Sequence, residues 1–142
     1  MYKKLIILKR VFCKIINDVK LNYPKETCGI LAGEISRENI LVKFAKPLPN
    51  ISKDYKKFWF DELLWIKNIL TITSKNLKYI GLYHSHPNGS VVPSPSDIER
   101  MLECPGEIWL IISYNSSRIY EYSAWTIPRY GAGIFKIPVL IK

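Results

Sequence analysis

Short apolar runs alternate along this chain with segments whose apolar residues recur at helical spacing. Over residues 9–21 the apolar side chains return every three or four positions, which predicts a helix with one buried face. A second helix is predicted from Asp61, a suitable N-cap, to about Thr73. Because strand-like runs lie between these helices, the pattern indicates an α/β fold in which helices cover a mixed sheet.

Seven short segments have the apolar character that favours strands. They are residues 5–8, 28–33, 40–44, 77–83, 107–113, 119–127 and 134–141. Gly33 is expected to begin a turn after the second strand, and residues 47–57 are expected to form an irregular loop. Pro138 favours an edge position for the last strand, because proline has no N–H to donate to a neighbour.

Length and composition predict one globular domain over residues 1–142. The chain has 142 residues, of which 48% are hydrophobic and 23% charged, values that argue against disorder. The formal charge of +9 is dispersed, without a run of five basic residues, and so favours a solvated basic surface over a nucleic-acid footprint.

The cysteines and the N-terminus bear on the cellular setting. Cys13, Cys28 and Cys104 are odd in number and widely spaced, which argues against a disulfide framework and favours a reducing compartment. The apolar run near the N-terminus is too short for a signal peptide, and no stretch is long enough to span a bilayer. We therefore expect a cytoplasmic protein without a membrane partner.

The only two histidines of the chain, His84 and His86, stand two residues apart where a predicted strand ends. Side chains at that spacing point to the same side of an extended chain. A stiff loop with three prolines follows, and Ser94 and Asp97 then form a capping box with Pro95 at the first helical position. Two imidazoles and a carboxylate are the protein ligands of a catalytic zinc that keeps a fourth position for water.

Other interpretations of these residues have to be weighed. A single histidine on an apolar strand is usually structural, and Asp97 alone would be a favourable acid at a helix N-terminus. Two histidines and a carboxylate also form the facial triad of non-haem iron oxygenases. Zinc deaminases require a Pro-Cys-x-x-Cys pair that this chain lacks. Cys28 has no histidine left as its base, so we interpret it as a structural thiol.

The complete pattern resembles a known family. His84-Ser85-His86-Pro87, then Ser94 after seven residues and Asp97 after two more, is similar to the signature of the JAMM/MPN (Mov34/PAD-1) metallopeptidases. The upstream stretch Tyr-Pro-Lys-Glu-Thr-Cys-Gly, residues 23–29, resembles the glutamate segment of that family. The resemblance covers the whole chain and implies a three-layer α/β/α domain around a mixed sheet, the general architecture of the cytidine deaminases.

The resemblance also implies a role for each matching residue. His84, His86 and Asp97 would bind one zinc ion per chain, which activates water and polarises the scissile carbonyl. Glu26 would take the proton from that water and deliver it to the leaving amine. Ser94 would donate a hydrogen bond to the developing oxyanion.

The family cleaves peptide or isopeptide bonds after the C-terminal tails of ubiquitin-like and sulfur-carrier proteins. The short chain resembles the compact prokaryotic type, which implies a β-grasp carrier ending in Gly-Gly as substrate. Two alternatives remain: a scaffold domain without catalysis, and a domain of the kind found in DNA-repair-associated proteins. The complete ligand set counts against the scaffold, and the lack of a basic arm counts against a nucleic-acid partner.

Overall fold

The computed structural model of the protein describes residues 4–54 and 57–142. The helices of these residues are α1 (Lys9–Asn22), α2 (Glu62–Ser74) and α3 (Pro95–Glu103). The strands are β1 (Lys4–Ile7), β2 (Cys28–Ile35), β3 (Asn39–Leu48), β4 (Lys78–Pro87), β5 (Ile108–Tyr114), β6 (Tyr120–Thr126), β7 (Phe135–Ile137) and β8 (Val139–Ile141).

The eight strands form one mixed sheet in the order β7-β6-β5-β4-β2-β3-β1-β8. Strand β4 lies near the middle, antiparallel to β2 and parallel to β5. Strand β1 is parallel to both β3 and β8, whereas β6 is antiparallel to β5 and β7. The α/β fold expected from the sequence is therefore confirmed.

Two hydrophobic cores lie on opposite faces of this sheet. On one face, the buried side of α1, with Phe12 and Ile15, packs against sheet residues such as Leu31 and Leu110. On the other face, Ile72 of α2 and Met101 of α3 join a second core that includes Leu82 and Trp109. Helices thus cover both faces, and the sheet is the middle of three layers.

The helices begin and end close to their expected positions. Asp61 is the N-cap of α2, since its carboxylate accepts from the backbone N–H groups of Leu63 and Leu64. Ser94 and Asp97 form the expected capping box at the start of α3, and Pro95 occupies its first turn. No helix among the described residues is long and apolar enough to span a bilayer.

Three strands are longer than the sequence predicted. The turn expected at Gly33 was wrong: β2 continues to Ile35, and a side chain at Gly33 would overlap the Leu41 carbonyl of β3. The loop expected from residue 47 begins later, because β3 includes Pro47. Proline is tolerated there because β1 pairs only with residues 39–42, so this part of β3 is locally an edge.

Strand β4 continues through both histidines to Pro87 instead of stopping at Tyr83. Its parallel neighbour β5 pairs with β4 from Gly81 to Pro87, with Tyr114 opposite Pro87. His84 is therefore paired on both sides, by β2 and β5, whereas His86 is paired with β5 alone. Their backbone is set by the middle of the sheet.

The expected single closing strand over residues 134–141 was wrong. Pro138 divides it into β7, which pairs with β6, and β8, which pairs with β1. The edge position inferred from Pro138 is confirmed, because β7 and β8 are the two outermost strands of the sheet. One residue joins the two ends, so the sheet must curl until its first and last strands meet.

Candidate metal centre

The two histidine side chains meet on the face of the sheet that α2 and α3 cover. His84 is fully buried, and 13% of the His86 side chain is exposed. Their Nε2 atoms lie 3.0 Å apart, because residues at i and i+2 of a strand share one face. The expectation that the two imidazoles face one point is met by this geometry.

Asp97 reaches the same point from the first turn of α3. Its Oδ2 lies 3.2 Å from Nε2 of His84 and 3.0 Å from Nε2 of His86. The capping box holds the carboxylate, since Oδ2 also accepts from the backbone N–H of Ser94 at 2.9 Å. The residues that begin the helix therefore also deliver its acid to the two imidazoles.

The donor set suits a divalent cation such as zinc. Atoms bound at about 2.0–2.1 Å around a tetrahedral zinc are separated by roughly 3.3 Å, close to the 3.0–3.2 Å found between these three atoms. His86 donates through Nδ1 to the Ser90 carbonyl at 2.7 Å, so in the neutral ring the Nε2 lone pair faces Asp97. A lone pair opposite a carboxylate oxygen calls for a positive charge between them.

The electrostatics of the three groups agree with this arrangement. Burial lowers the pKa of His84 and keeps its imidazole neutral. Burial alone would raise the pKa of Asp97, but the two neighbouring imidazoles and the hydrogen bond from the Ser94 N–H outweigh it and lower that pKa. Burial opposes charge on His86 as well, yet Asp97 and the Ser90 carbonyl raise its pKa. The surroundings of His86 therefore favour positive charge.

Aromatic packing orients His84. Phe58 stacks on its ring with centroids 4.5 Å apart, and Trp109 meets it edge-on at 5.2 Å. Within residues 4–54 and 57–142, no hydrogen-bond partner lies at the buried Nδ1 of His84. The two aromatic rings thus orient the imidazole of His84, whereas a hydrogen bond orients that of His86. Sequence reasoning missed both aromatic residues, because only the fold brings them to the histidine.

Glu26 stands two residues before β2, beside the two histidines. Only 4% of the residue is exposed, and its carboxylate lies within 4.8 Å of ligand atoms of His84 and His86. Burial raises the pKa of Glu26 to about 7, although His86 opposes this rise. A carboxyl with that pKa can both accept and release a proton near neutrality.

Hydrogen bonds on both sides hold the backbone around Glu26. The next residue, Thr27, donates its N–H to Ser85 Oγ at 2.8 Å, and the Ser85 N–H donates back to the Thr27 carbonyl at 3.0 Å. The carbonyl of Glu26 accepts from Nδ2 of Asn50 at 2.8 Å. Ser85 stood inside the motif without an assigned role, and nothing in the sequence pattern pointed to Asn50.

Ser94 lies at the rim of the centre. Its Oγ accepts from the backbone N–H of Asp97 at 3.2 Å and is 3.2 Å from Ser96 Oγ. An open groove of about 440 Å³ is lined by Ser94 together with Glu26, His86 and Asn88. Glu26, His86 and Ser94 thus line one open groove, and the buried His84 and Asp97 contact it through His86.

The cysteines take no part in this centre. Cys28 is buried, its Sγ contacts the Leu48 carbonyl at 3.5 Å, and burial raises the pKa of its thiol to about 12. Such a thiol is not a nucleophile near neutral pH. All three cysteines of the chain are free, as their spacing predicted.

Comparisons with known proteins identify relatives of this chain. A desampylase of Haloferax volcanii is 33% identical over 91 residues, which cover 63% of this chain and 63% of that protein. A probable TtuB-protein conjugate cleaving protease of Thermus thermophilus is 34% identical over 77 residues, or 54% and 49% of the two chains. The matched region thus spans less than two thirds of either relative. A desampylase of Pyrococcus furiosus is 28% identical over 122 residues, 86% of this chain and 81% of that one.

Solved structures share the fold. A protein from Desulfitobacterium hafniense superposes with a TM-score of 0.83 at 21% identity, covering 97% of this chain and 92% of its own. A protein from Salinibacter ruber gives a TM-score of 0.67 at 21% identity, covering 94% of this chain and 88% of its own.

Residues 8–128 match the family described as prokaryotic homologues of the JAB domain. This match confirms the resemblance drawn from the histidine motif, and the chain belongs to the prokaryotic branch of the JAB, or JAMM/MPN, family.

Proposed function

We propose that this protein is a zinc-dependent peptidase that hydrolyses the peptide or isopeptide bond after the Gly-Gly tail of a ubiquitin-like or sulfur-carrier protein. One observation carries the proposal: Nε2 of His84, Nε2 of His86 and Oδ2 of Asp97 converge within 3.2 Å beside a buried glutamate. The names of the relatives, desampylase and conjugate cleaving protease, support this substrate class.

His84, His86 and Asp97 would hold the zinc ion, one per chain. When bound, zinc lowers the pKa of a water molecule towards neutrality and polarises a carbonyl group. The protein contributes a rigid frame, because both histidines lie on a strand paired on either side and Asp97 is fixed by the capping box. Metal ligands held in this way need little rearrangement during turnover.

Glu26 would serve as the general base and then as the general acid. Its carboxylate takes a proton from the attacking water, and the water oxygen forms a bond to the scissile carbonyl carbon. The same proton then goes to the leaving nitrogen as the C–N bond breaks, which yields a carboxylate and an amine. In the metal-free chain, burial raises the pKa of this carboxyl to about 7, which shows how strongly its surroundings favour the protonated form.

Ser94 would stabilise the oxyanion. Its Oγ accepts from the Asp97 N–H and lies 3.2 Å from Ser96 Oγ, and with Ser96 as the donor in that contact the Ser94 hydroxyl hydrogen can point outward. This hydrogen would bond to the carbonyl oxygen as negative charge develops there. The groove beside Ser94, Glu26 and His86 is open to solvent, and an extended tail without side chains, such as Gly-Gly, fits such a site.

Two variants test the proposal. Glu26→Gln is expected to keep one zinc per chain and to lose cleavage by at least about 100-fold, because it removes the proton acceptor and no ligand. Asp97→Ala is expected to lose the zinc. The measurements are elemental analysis and hydrolysis of a fluorogenic amide with a Gly-Gly terminus.

Three results would contradict the proposal. Substantial turnover by Glu26→Gln would show that this residue is not the base. A full equivalent of zinc in Asp97→Ala would remove it from the ligand set. Iron instead of zinc in the wild-type protein would point to oxygen chemistry at the same three residues.

A further inference from the structure

Asn50 uses its whole side-chain amide in a single junction. Its Nδ2 donates to the carbonyls of Glu26 at 2.8 Å and Lys57 at 3.2 Å. Its Oδ1 accepts from the N–H groups of Ser52 at 3.0 Å and Trp59 at 3.1 Å. An amide has two N–H donors and two lone pairs, so no hydrogen-bonding capacity of Asn50 remains unused.

The four bonds connect the general base to one wall of the site. One bond ends on the main chain of Glu26, and the other three hold the backbone of Ser52, Lys57 and Trp59 around the amide. In that segment, Phe58 stacks on the ring of His84. A narrow pocket of about 110 Å³ is lined by Lys57, Phe58 and Trp59 together with Glu26 and Asp97.

Asn50 itself has a firm anchor. It lies two residues after β3, and Leu48 at the end of β3 pairs with Cys28 of β2. Glu26 lies just before that paired end of β2. The amide therefore bridges from the sheet to the loop, and it has no contact with the reacting atoms.

We propose that Asn50 is a positioning residue for catalysis: it fixes the Glu26 backbone and the Lys57–Trp59 wall relative to each other. The inference rests on the proposed function for its kinetic consequence. Displacing a reacting group by about 1 Å can lower a rate by about 100-fold, so losing this junction should impair turnover while the three metal ligands stay in place.

The test compares Asn50→Asp and Asn50→Ala with Ser52→Ala. The aspartate keeps the acceptor oxygen and loses both donations, and the alanine loses all four bonds. Ser52→Ala is the matched control, because among the described residues its hydroxyl bonds to the Asp54 backbone alone. We expect both Asn50 variants to lower kcat on the Gly-Gly amide by about 10- to 100-fold, with a small change in KM and unchanged zinc content. Ser52→Ala should stay within about twofold of wild type.

A second readout does not depend on activity. The stacked Phe58 ring shifts the NMR signals of the His84 ring protons, and Asn50→Asp should move those signals whereas Ser52→Ala should not. An inactive wild type with this shift would overturn the proposed function and leave the positioning role standing. Folded, zinc-loaded Asn50 variants with wild-type kcat, or with an unmoved His84 signal, would overturn the inference.

Discussion

Two histidines in one motif are held by different means. His86 is oriented by a hydrogen bond from Nδ1 to the Ser90 carbonyl, and His84 by the rings of Phe58 and Trp109. Metal-binding histidines usually donate their second nitrogen to an acceptor, which only His86 does here among the described residues. At His84, aromatic packing therefore fixes the ring orientation that a hydrogen-bond partner usually fixes.

The buried carboxyl of Glu26 should destabilise the fold at high pH. Its pKa is about 7 in the folded chain, against 4.5 ordinarily, so between these values the folded state holds a proton that the unfolded state has released. Stability contributed by this group is therefore lost as pH rises from about 4.5 through about 7. Glu26→Gln avoids the loss, and its advantage over wild type in unfolding free energy should grow by about 2 kcal/mol from pH 5 to pH 8.

Denaturant unfolding of the metal-free proteins at both pH values measures this difference. Because Glu26 raises the pKa of His86, the comparison reports the coupled titration of this cluster, with burial of Glu26 as its main cause. An advantage of the same size at pH 5 and pH 8 would show that the Glu26 carboxyl titrates as an ordinary exposed acid.

At the level of single residues, the sequence identified the side chains whose spacing carries the motif. The positions of His84, His86, Ser94 and Asp97 follow from strand alternation and from helix capping, which are local rules. Asn50 and Phe58 could not be predicted, because a loop without periodicity brings them to the site. The site residues that they contact are distant along the chain: Glu26 for Asn50 and His84 for Phe58.

At the level of elements, the central strands depend on close backbone approach. Gly81 of β4 lies opposite Ile108 of β5, and a side chain at this position would overlap the Ile108 carbonyl. The parallel pairing that carries the histidine strand therefore requires a residue without a Cβ atom. Sequence periodicity placed β4 and β5 but gave no sign of this requirement, nor of the similar one at Gly33.

Gly81→Ala is expected to lower the free energy of unfolding by about 3 kcal/mol, because strands β4 and β5 must separate to admit the methyl group. Gly133→Ala is the matched control, since nothing lies within 4 Å of a Cβ at that position. Its effect should stay within about 0.5 kcal/mol. Thermal or denaturant unfolding of both variants measures the difference. Equal stabilities of the two variants would show that β4 and β5 adjust without strain.

At the level of the whole molecule, the last strand closes the sheet. Strand β8 pairs with β1, the backbone N–H of Lys142 donates to the Ile7 carbonyl, and Val139 and Ile141 pack against the core under α1. The sequence predicted strand character for residues 134–141 and the lack of a backbone N–H donor at Pro138. It could not predict that the chain crosses there from one end of the sheet to the other, because such pairing is non-local.

Ending the chain after Pro138 should lower the free energy of unfolding by about 2 kcal/mol, through loss of this pairing and of two partly buried side chains. Leu140→Ala is the control: Leu140 lies on the same strand but is 44% exposed, so its truncation should change stability by at most about 0.5 kcal/mol. Equal unfolding curves for the shortened and the full chain would show that β8 contributes nothing to the fold.

The edges of the curled sheet also limit strand pairing between copies of this protein. Its two outermost strands, β7 and β8, have three residues each, and Pro138 between them offers no N–H. Ile137 and Val139 are at most roughly 7 Å apart, so the two edge strands follow one another directly across Pro138. An incoming strand finds little to pair with, which guards against edge-to-edge aggregation. Without β8, the apolar β1 becomes an open edge, and the shortened chain should self-associate where the full chain stays dispersed.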